Sequence, residues 1–288
     1  MSIFASAMSL YNILIKPFVR KMSTERASRV GLRYFQIIGR IPLARAINRW
    51  IHPNKSDGLQ SEVFGLQFYN PVGLGAGLDL HGELYNDLNN LGFSFSEIGP
   101  IVSAEGVRKA INNVQKDPQD DLLSICISGD YLTSFTLSYD FFDFFVIDMS
   151  ASSVNTDIID DILEVRLGEQ NYKPIVIKVS ERISPTELER LTDYCMMNSV
   201  DGLELRSLDQ VERVSRRSRA RLPIIANCHT DTPQHALEAL IKGASLVEIR
   251  TALLHEGPGI VTDTLKVIRK SKEEYEAGKS TSKDSQTA

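Results

Sequence analysis

From about residue 60 onward the chain alternates short, β-branched apolar runs with amphipathic segments, the pattern of repeated strand–helix units on a parallel sheet. Eight runs predict strands: Val72–Ala76, Phe95–Gly99, Leu122–Ser128, Phe144–Asp148, Ile175–Val179, Leu203–Leu205, Ile224–Asn227 and Leu246–Arg250. Helical spacing fills most of the intervals. Pro185–Asn198 follows Ser184 and Pro233–Lys242 follows Thr232, so each starts with a capping hydroxyl and a first-turn proline, and Gly243 stands where the second should stop. Eight units in series predict an α/β fold, a (β/α)8 TIM barrel over residues 59–270, with an open doubly wound sheet as the alternative. Before the first strand, Val63 to Phe68 reads as a hairpin flooring the barrel. The tail 271–288, rich in Ser, Lys, Glu and Thr without an apolar face, is predicted to be disordered.

Composition narrows the picture. The 288 residues are 42% hydrophobic, a normal globular core, and suit one barrel plus an appendage, two medium domains being the rival. No apolar run reaches the roughly 18–20 residues of a membrane-crossing helix. Cys126, Cys195 and Cys228 have no CxxC spacing, so neither a disulfide framework nor a metal site is expected, and a reduced, cytoplasm-facing compartment fits. Charge is unevenly spread. Residues 1–55 carry ten Lys or Arg and one acid, hence +9; the chain as a whole is −5, which leaves −14 on the remainder. In residues 1–58 the apolar positions interleave with Lys16, Arg20, Lys21, Arg26, Arg29 and Arg33 at a spacing that permits two short amphipathic helices, with Ser23 as a cap between them. Such a module suits an anionic membrane surface; a solvated cap on the barrel and an Arg-rich transit peptide are the alternatives. No nucleic-acid partner is expected.

The chemistry concentrates in one stretch. Asn70-Pro71-Val72-Gly73-Leu74-Gly75-Ala76-Gly77-Leu78-Asp79-Leu80-His81-Gly82-Glu83, followed by Leu91-Gly92-Phe93 and Ser96-Glu97-Ile98-Gly99, resembles the opening of the flavin barrel in class 2 (quinone-dependent, membrane-associated) dihydroorotate dehydrogenases. Gly243-Ala244-Ser245-Leu246-Val247 and His255-Glu256-Gly257-Pro258-Gly259 resemble the family's closing segment, and Pro17–Lys21 with Thr24–Ala27 its helical entrance for quinone. The resemblance spans residues 11–268. It implies FMN at the strand ends, with Ala76, Gly77, Lys178 and Thr251 as its contacts, and small residues that let a flat ring lie on backbone amides.

Other family positions carry the wrong residue type. Leu80 replaces the lysine that contacts substrate and flavin, Pro100 a threonine, and Cys126 a flavin-contacting asparagine (here read as a small core residue). Ala151 stands at the catalytic base, with Ser150 and Ser152 one register away, and no catalytic residue is assigned. Asp148 replaces a substrate-holding asparagine and is the candidate partner for Lys178, whose burial in a barrel would otherwise be costly. The substrate loop is missing between strands two and three. The glycines that support the flavin phosphate give way to Arg213–Arg221 after strand six and to Ala226-Asn227-Cys228-His229 after strand seven. Arg206, His229 and Arg250 form a possible anion-binding set.

The expectation is a barrel that has lost FMN and dihydroorotate oxidation and persists in a structural or regulatory role. It would lie peripherally on the inner face of the cytoplasmic membrane, with a protein partner that the sequence does not name. The alternatives are an active FMN-dependent oxidoreductase of pyrimidine biosynthesis with an altered site, and a flavin-free barrel that binds an anionic metabolite.

Overall fold

The computed structural model describes the backbone of residues 58–284 except 89–90, 117–120, 229 and 231, and besides these only Arg33. Apart from Arg33 and Gly58, the predicted N-terminal module therefore lies outside the described residues.

A hairpin of β1 (Ser61–Val63) and β2 (Leu66–Phe68) precedes the barrel. Eight parallel strands follow: β3 (Val72–Leu74), β4 (Phe95–Ile101), β5 (Leu122–Ile127), β6 (Phe144–Asp148), β7 (Ile175–Lys178), β8 (Gly202–Leu205), β9 (Ile224–Ala226) and β10 (Leu246–Ile249). They neighbour one another in chain order, and β10 closes on β3. This is the predicted (β/α)8 barrel, with each strand within two residues of its predicted ends. The intervening helices are α1 (Tyr85–Leu88), α2 (Ala104–Asn113), α3 (Tyr131–Ser138), α4 (Thr156–Gly168), α5 (Pro185–Met197), α6 (Leu208–Ser218), α7 (Pro233–Ile241) and α8 (Thr251–Glu256), with α9 (Gly259–Asp284) closing the chain. Reciprocal capping fixes two of the starts: Ser184 with Glu187 on α5, and Ser207 with Gln210 on α6.

Alternation along the strands sorts side chains into two cores. One parity packs outward beneath the helices. The other faces the axis, where Phe95, Cys126, Phe144, Val146, Val176, Ile225 and Leu246 form a separate cluster with Val63 and Phe68 of the hairpin. Phe64, Phe68, Phe95 and Phe144 meet ring to ring with centroids 5.6–6.4 Å apart and plug the strands' N-terminal end, so the hairpin does floor the barrel.

The tail departs from expectation. Helix α9 runs on through Lys270 to Asp284, where disorder was predicted. Alanine, lysine and glutamate are strong helix formers, Lys270 pairs with Glu274 one turn on, and Lys272 Nζ donates to the Gly58 carbonyl at 2.5 Å. A helix already nucleated on the barrel by Ile260, Val261 and Ile268 can propagate into solvent without an apolar face.

Candidate functional site

The axis-facing parity continues upward, and its next layer is polar. Glu97 (β4), Asp148 (β6), Lys178 (β7), Glu204 (β8), Asn227 (just past β9) and Glu248 (β10) meet there, and Glu97, Glu204 and Glu248 are buried to 1% exposure or less. Carboxylate oxygens of these three glutamates lie within 4.8 Å of one another. Such a set would suit a cation, and the cation it holds is Lys178, whose Nζ is 2.6 Å from Glu204 and 3.6 Å from Glu97. Asn227 Nδ2 donates to Glu204 and to Glu248, at 2.9 Å each.

This corrects the expected Lys178–Asp148 pair. The two residues are register neighbours, but Asp148 is satisfied locally, by the Ser150 N–H at 2.8 Å and by Cys126 Sγ at 3.8 Å. Lys178 turns instead to the deeper carboxylates, where the Coulomb attraction is less screened.

Three glutamates and one lysine do not balance if all are ionised. No N–H reaches either oxygen of Glu97 or Oε1 of Glu248, and the two carboxyls have oxygens within 4.8 Å of one another. Like charges so close and so deeply buried favour the protonated form. Burial first, and then the field of Glu204, pushes Glu97 up to about 8, and the same causes push Glu248 well above the ordinary carboxylate range. Burial works against the ammonium of Lys178, yet Glu204 and the other surrounding acids outweigh it and hold the lysine charged.

The predicted flavin floor is also engaged. The N–H of Gly75 donates to the Ile249 carbonyl at 3.2 Å and that of Gly77 to the Gly99 carbonyl at 2.7 Å. Gly77 has φ +107°, and the Arg250 side chain lies across it, with Nη1 only 3.3 Å from where a β-carbon would be. Ala76 turns down into the apolar axis cluster, and Thr251 begins α8, half-buried. The Asp79 carboxylate accepts from the N–H groups of Glu83, Leu84 and Tyr85, so this part of the glycine-rich motif caps α1.

Of the remaining candidates, Arg206 follows β8 with its buried Nε unpartnered, while His229 lies outside the described residues. Cys228 Sγ donates to the Leu205 carbonyl, and burial pushes its thiol up to about 12, which leaves no thiolate at neutral pH. Cys126 is fully buried and also raised by burial, as a core residue should be. Ser150, Ala151 and Ser152 line a rim cleft whose lining does not include Lys178. Arg213, Arg216 and Arg217 project from α6 onto Glu189, Glu212 and Asp193, a solvated, paired face.

These residues do not fit an isoalloxazine. The ring needs a free positive charge at its N1/O2 edge, whereas Lys178 is enclosed by glutamates that would repel a reduced, anionic ring. Its phosphate needs bare amides, and where the resemblance expects phosphate-binding glycines the chain has Asn227 and Cys228, both buried.

Fold and polar axis define a (β/α)8 barrel with a buried layer of charge at its centre. No family model matches the chain. It is nevertheless similar to proteins named dihydroorotate dehydrogenase (quinone). The one from Christiangramia forsetii is 23% identical, over 88% of this chain and 97% of the relative; that from Yersinia pseudotuberculosis is 26% identical, over 88% and 98%. The crystal structure of dihydroorotate dehydrogenase from Eimeria tenella in complex with ferulenol superposes with a TM-score of 0.68 at 16% identity, covering 82% of this chain and 92% of that one. The chain is a divergent relative of the dihydroorotate dehydrogenase (quinone) family. The alignments run over 335 and 336 positions, more than its 288 residues, so the relatives carry segments it lacks.

Glu204, Asn227 and Glu248 were missed by sequence reasoning. The available signal was a lone acid at the third position of each short strand, Gly202-Leu203-Glu204-Leu205 and Leu246-Val247-Glu248-Ile249, at the parity of Glu97 in β4. Acids at matching heights on several barrel strands point to one interior layer.

Proposed function

We propose that this protein is a barrel that no longer binds FMN or oxidises dihydroorotate, and that it acts as a structural or regulatory protein held at an anionic membrane surface by residues 1–55. The observation that carries this reading is the engagement of Lys178. The residue the resemblance assigns to the flavin instead holds together the glutamates of the barrel's own interior. Support comes also from Ala151 at the base position and from Arg250 lying over Gly77. A positioned base is worth on the order of 10²–10⁴ in rate, and without the flavin there is no hydride acceptor at all. Among the described residues no helix is long and apolar enough to cross a membrane. Attachment through the basic residues 1–55 would be peripheral, on the inner face of the cytoplasmic membrane, with a protein partner still to be found.

The test is the visible absorbance of the purified protein before and after incubation with excess FMN and removal of the free cofactor. The expected result is no flavin band and no thermal shift. A flavin band that stays with the protein would overturn the reading and restore the oxidoreductase.

A further inference from the structure

We propose a second site, outside the barrel axis, that binds a small amphipathic anion: an aryl or alkyl phosphate or carboxylate. A cleft of about 570 Å³ opens on the rim at the C-terminal ends of β6 and β7, between the loop carrying Ser150–Ser153, the loop carrying Ser180–Ile183, and helix α5. This is the face on which barrels of this kind assemble their sites, and the volume suits a small ligand.

The lining divides by chemistry. Ile183, Leu191 and the ring of Tyr194 form an apolar wall, and the Tyr194 hydroxyl is tied down by Asp160. Ser150, Ser152 and Ser180 offer hydroxyls, and Arg182 and Arg190 bring two guanidinium groups to the edge.

These arginines differ from their neighbours on the adjoining helices. Along the neighbouring face, Arg213 pairs with Glu189 and Arg217 with Asp193, and Arg166 is closed onto Asp201. Arg182 and Arg190 form no ion pair with any described residue. The one carboxylate in the lining, Glu187, is engaged by the N–H and hydroxyl of Ser184 at the start of α5, and senses Arg190 only through its field. Two planar, always-charged donors beside an apolar wall match an anionic head on an apolar body, and a guanidinium binds carboxylate or phosphate with two parallel hydrogen bonds. The site is independent of whether the barrel holds flavin, since neither Lys178 nor Gly77 contributes to it.

Anilinonaphthalene sulfonate, an aromatic ring system bearing a fixed negative charge, is the probe. Titrated into the full-length protein, it should give a saturable fluorescence gain. Arg182→Ala and Arg190→Ala should each weaken that binding about tenfold or more, the loss of one charge-assisted contact. Arg213→Ala should leave it unchanged, and Ser152→Trp, which fills the exposed mouth without removing a charge, should abolish it. Phenyl phosphate should displace the dye, and inorganic phosphate at the same concentration should not. Equal affinity in the arginine variants and wild type, or no saturation, would refute the site. Displacement by inorganic phosphate as readily as by phenyl phosphate would refute its amphipathic character.

Discussion

A lysine paired with two of three clustered, buried glutamates sets the chemistry of this molecule. Taking one ammonium from water costs several kcal/mol, and the Glu204 contact at 2.6 Å with the Asn227 bridge recovers it only while the set is complete. Lys178→Met should therefore destabilise the fold by about 3–5 kcal/mol in urea unfolding, because it leaves carboxylates with no counter-charge. A change below 1 kcal/mol would mean that the lysine is a solvated bystander. The acids predict a pH dependence of definite sign. Glu97 ionises at about 8 in the folded state, against 4.5 as its ordinary value. Between those limits the folded barrel keeps a proton that the unfolded chain has lost. Its contribution to stability is complete below pH 4.5 and drains away as pH rises toward 8, by up to about 1.4 kcal/mol per unit for one proton. Glu97→Gln removes the titrating group. Unfolding midpoints of the variant should change less between pH 5 and pH 8 than those of the parent, and the variant should gain on the parent at the alkaline end. Parallel profiles would rule out Glu97 as the proton holder.

At the scale of elements, the strands were legible and their contents only partly so. Phe144-Phe145-Val146-Ile147-Asp148 and Ile175-Val176-Ile177-Lys178 are buried on both faces, so they read as continuous apolar runs bounded by turn residues, and their ends follow directly. Ser184 and Thr232 announced their helices because a capping hydroxyl is a local device, complete within four residues. The polar layer was not legible in this way. Its members come from six of the eight barrel strands or their ends, and whether Lys178 turns toward Asp148 or toward Glu204 depends on barrel closure and on the Ser150 amide already held by Asp148. Both are tertiary facts. The end of α9 failed for a different reason: periodicity detects a helix through its buried face, and this one continues past its buried face. Of the candidate flavin contacts, Ala76 and Gly77 follow β3, Lys178 ends β7 and Thr251 opens α8, but nothing local in Gly75-Ala76-Gly77 says that its amides are taken by Ile249 and Gly99.

Over the whole molecule the charges separate by region. Residues 1–55 hold +9 and the rest −14, so the barrel alone would be repelled by an anionic bilayer while the N-terminal segment would be drawn to it. Each basic residue near such a surface contributes about 1 kcal/mol, and the attraction decays over a screening length of ~8 Å at physiological salt, shrinking to ~3 Å at 1 M. The two halves thus make opposite predictions for one measurement. The full-length protein should sediment with vesicles rich in phosphatidylserine at low salt and be released progressively as salt is raised. A variant beginning at residue 56 should stay in the supernatant at every salt concentration, because what remains is acidic. Neutral phosphatidylcholine vesicles should retain the full-length protein far less, which separates the electrostatic contribution from apolar insertion. If the shortened protein bound as well as the full chain, attachment would have to reside on the barrel, whose net charge opposes it, and the membrane role assigned to residues 1–55 would fall.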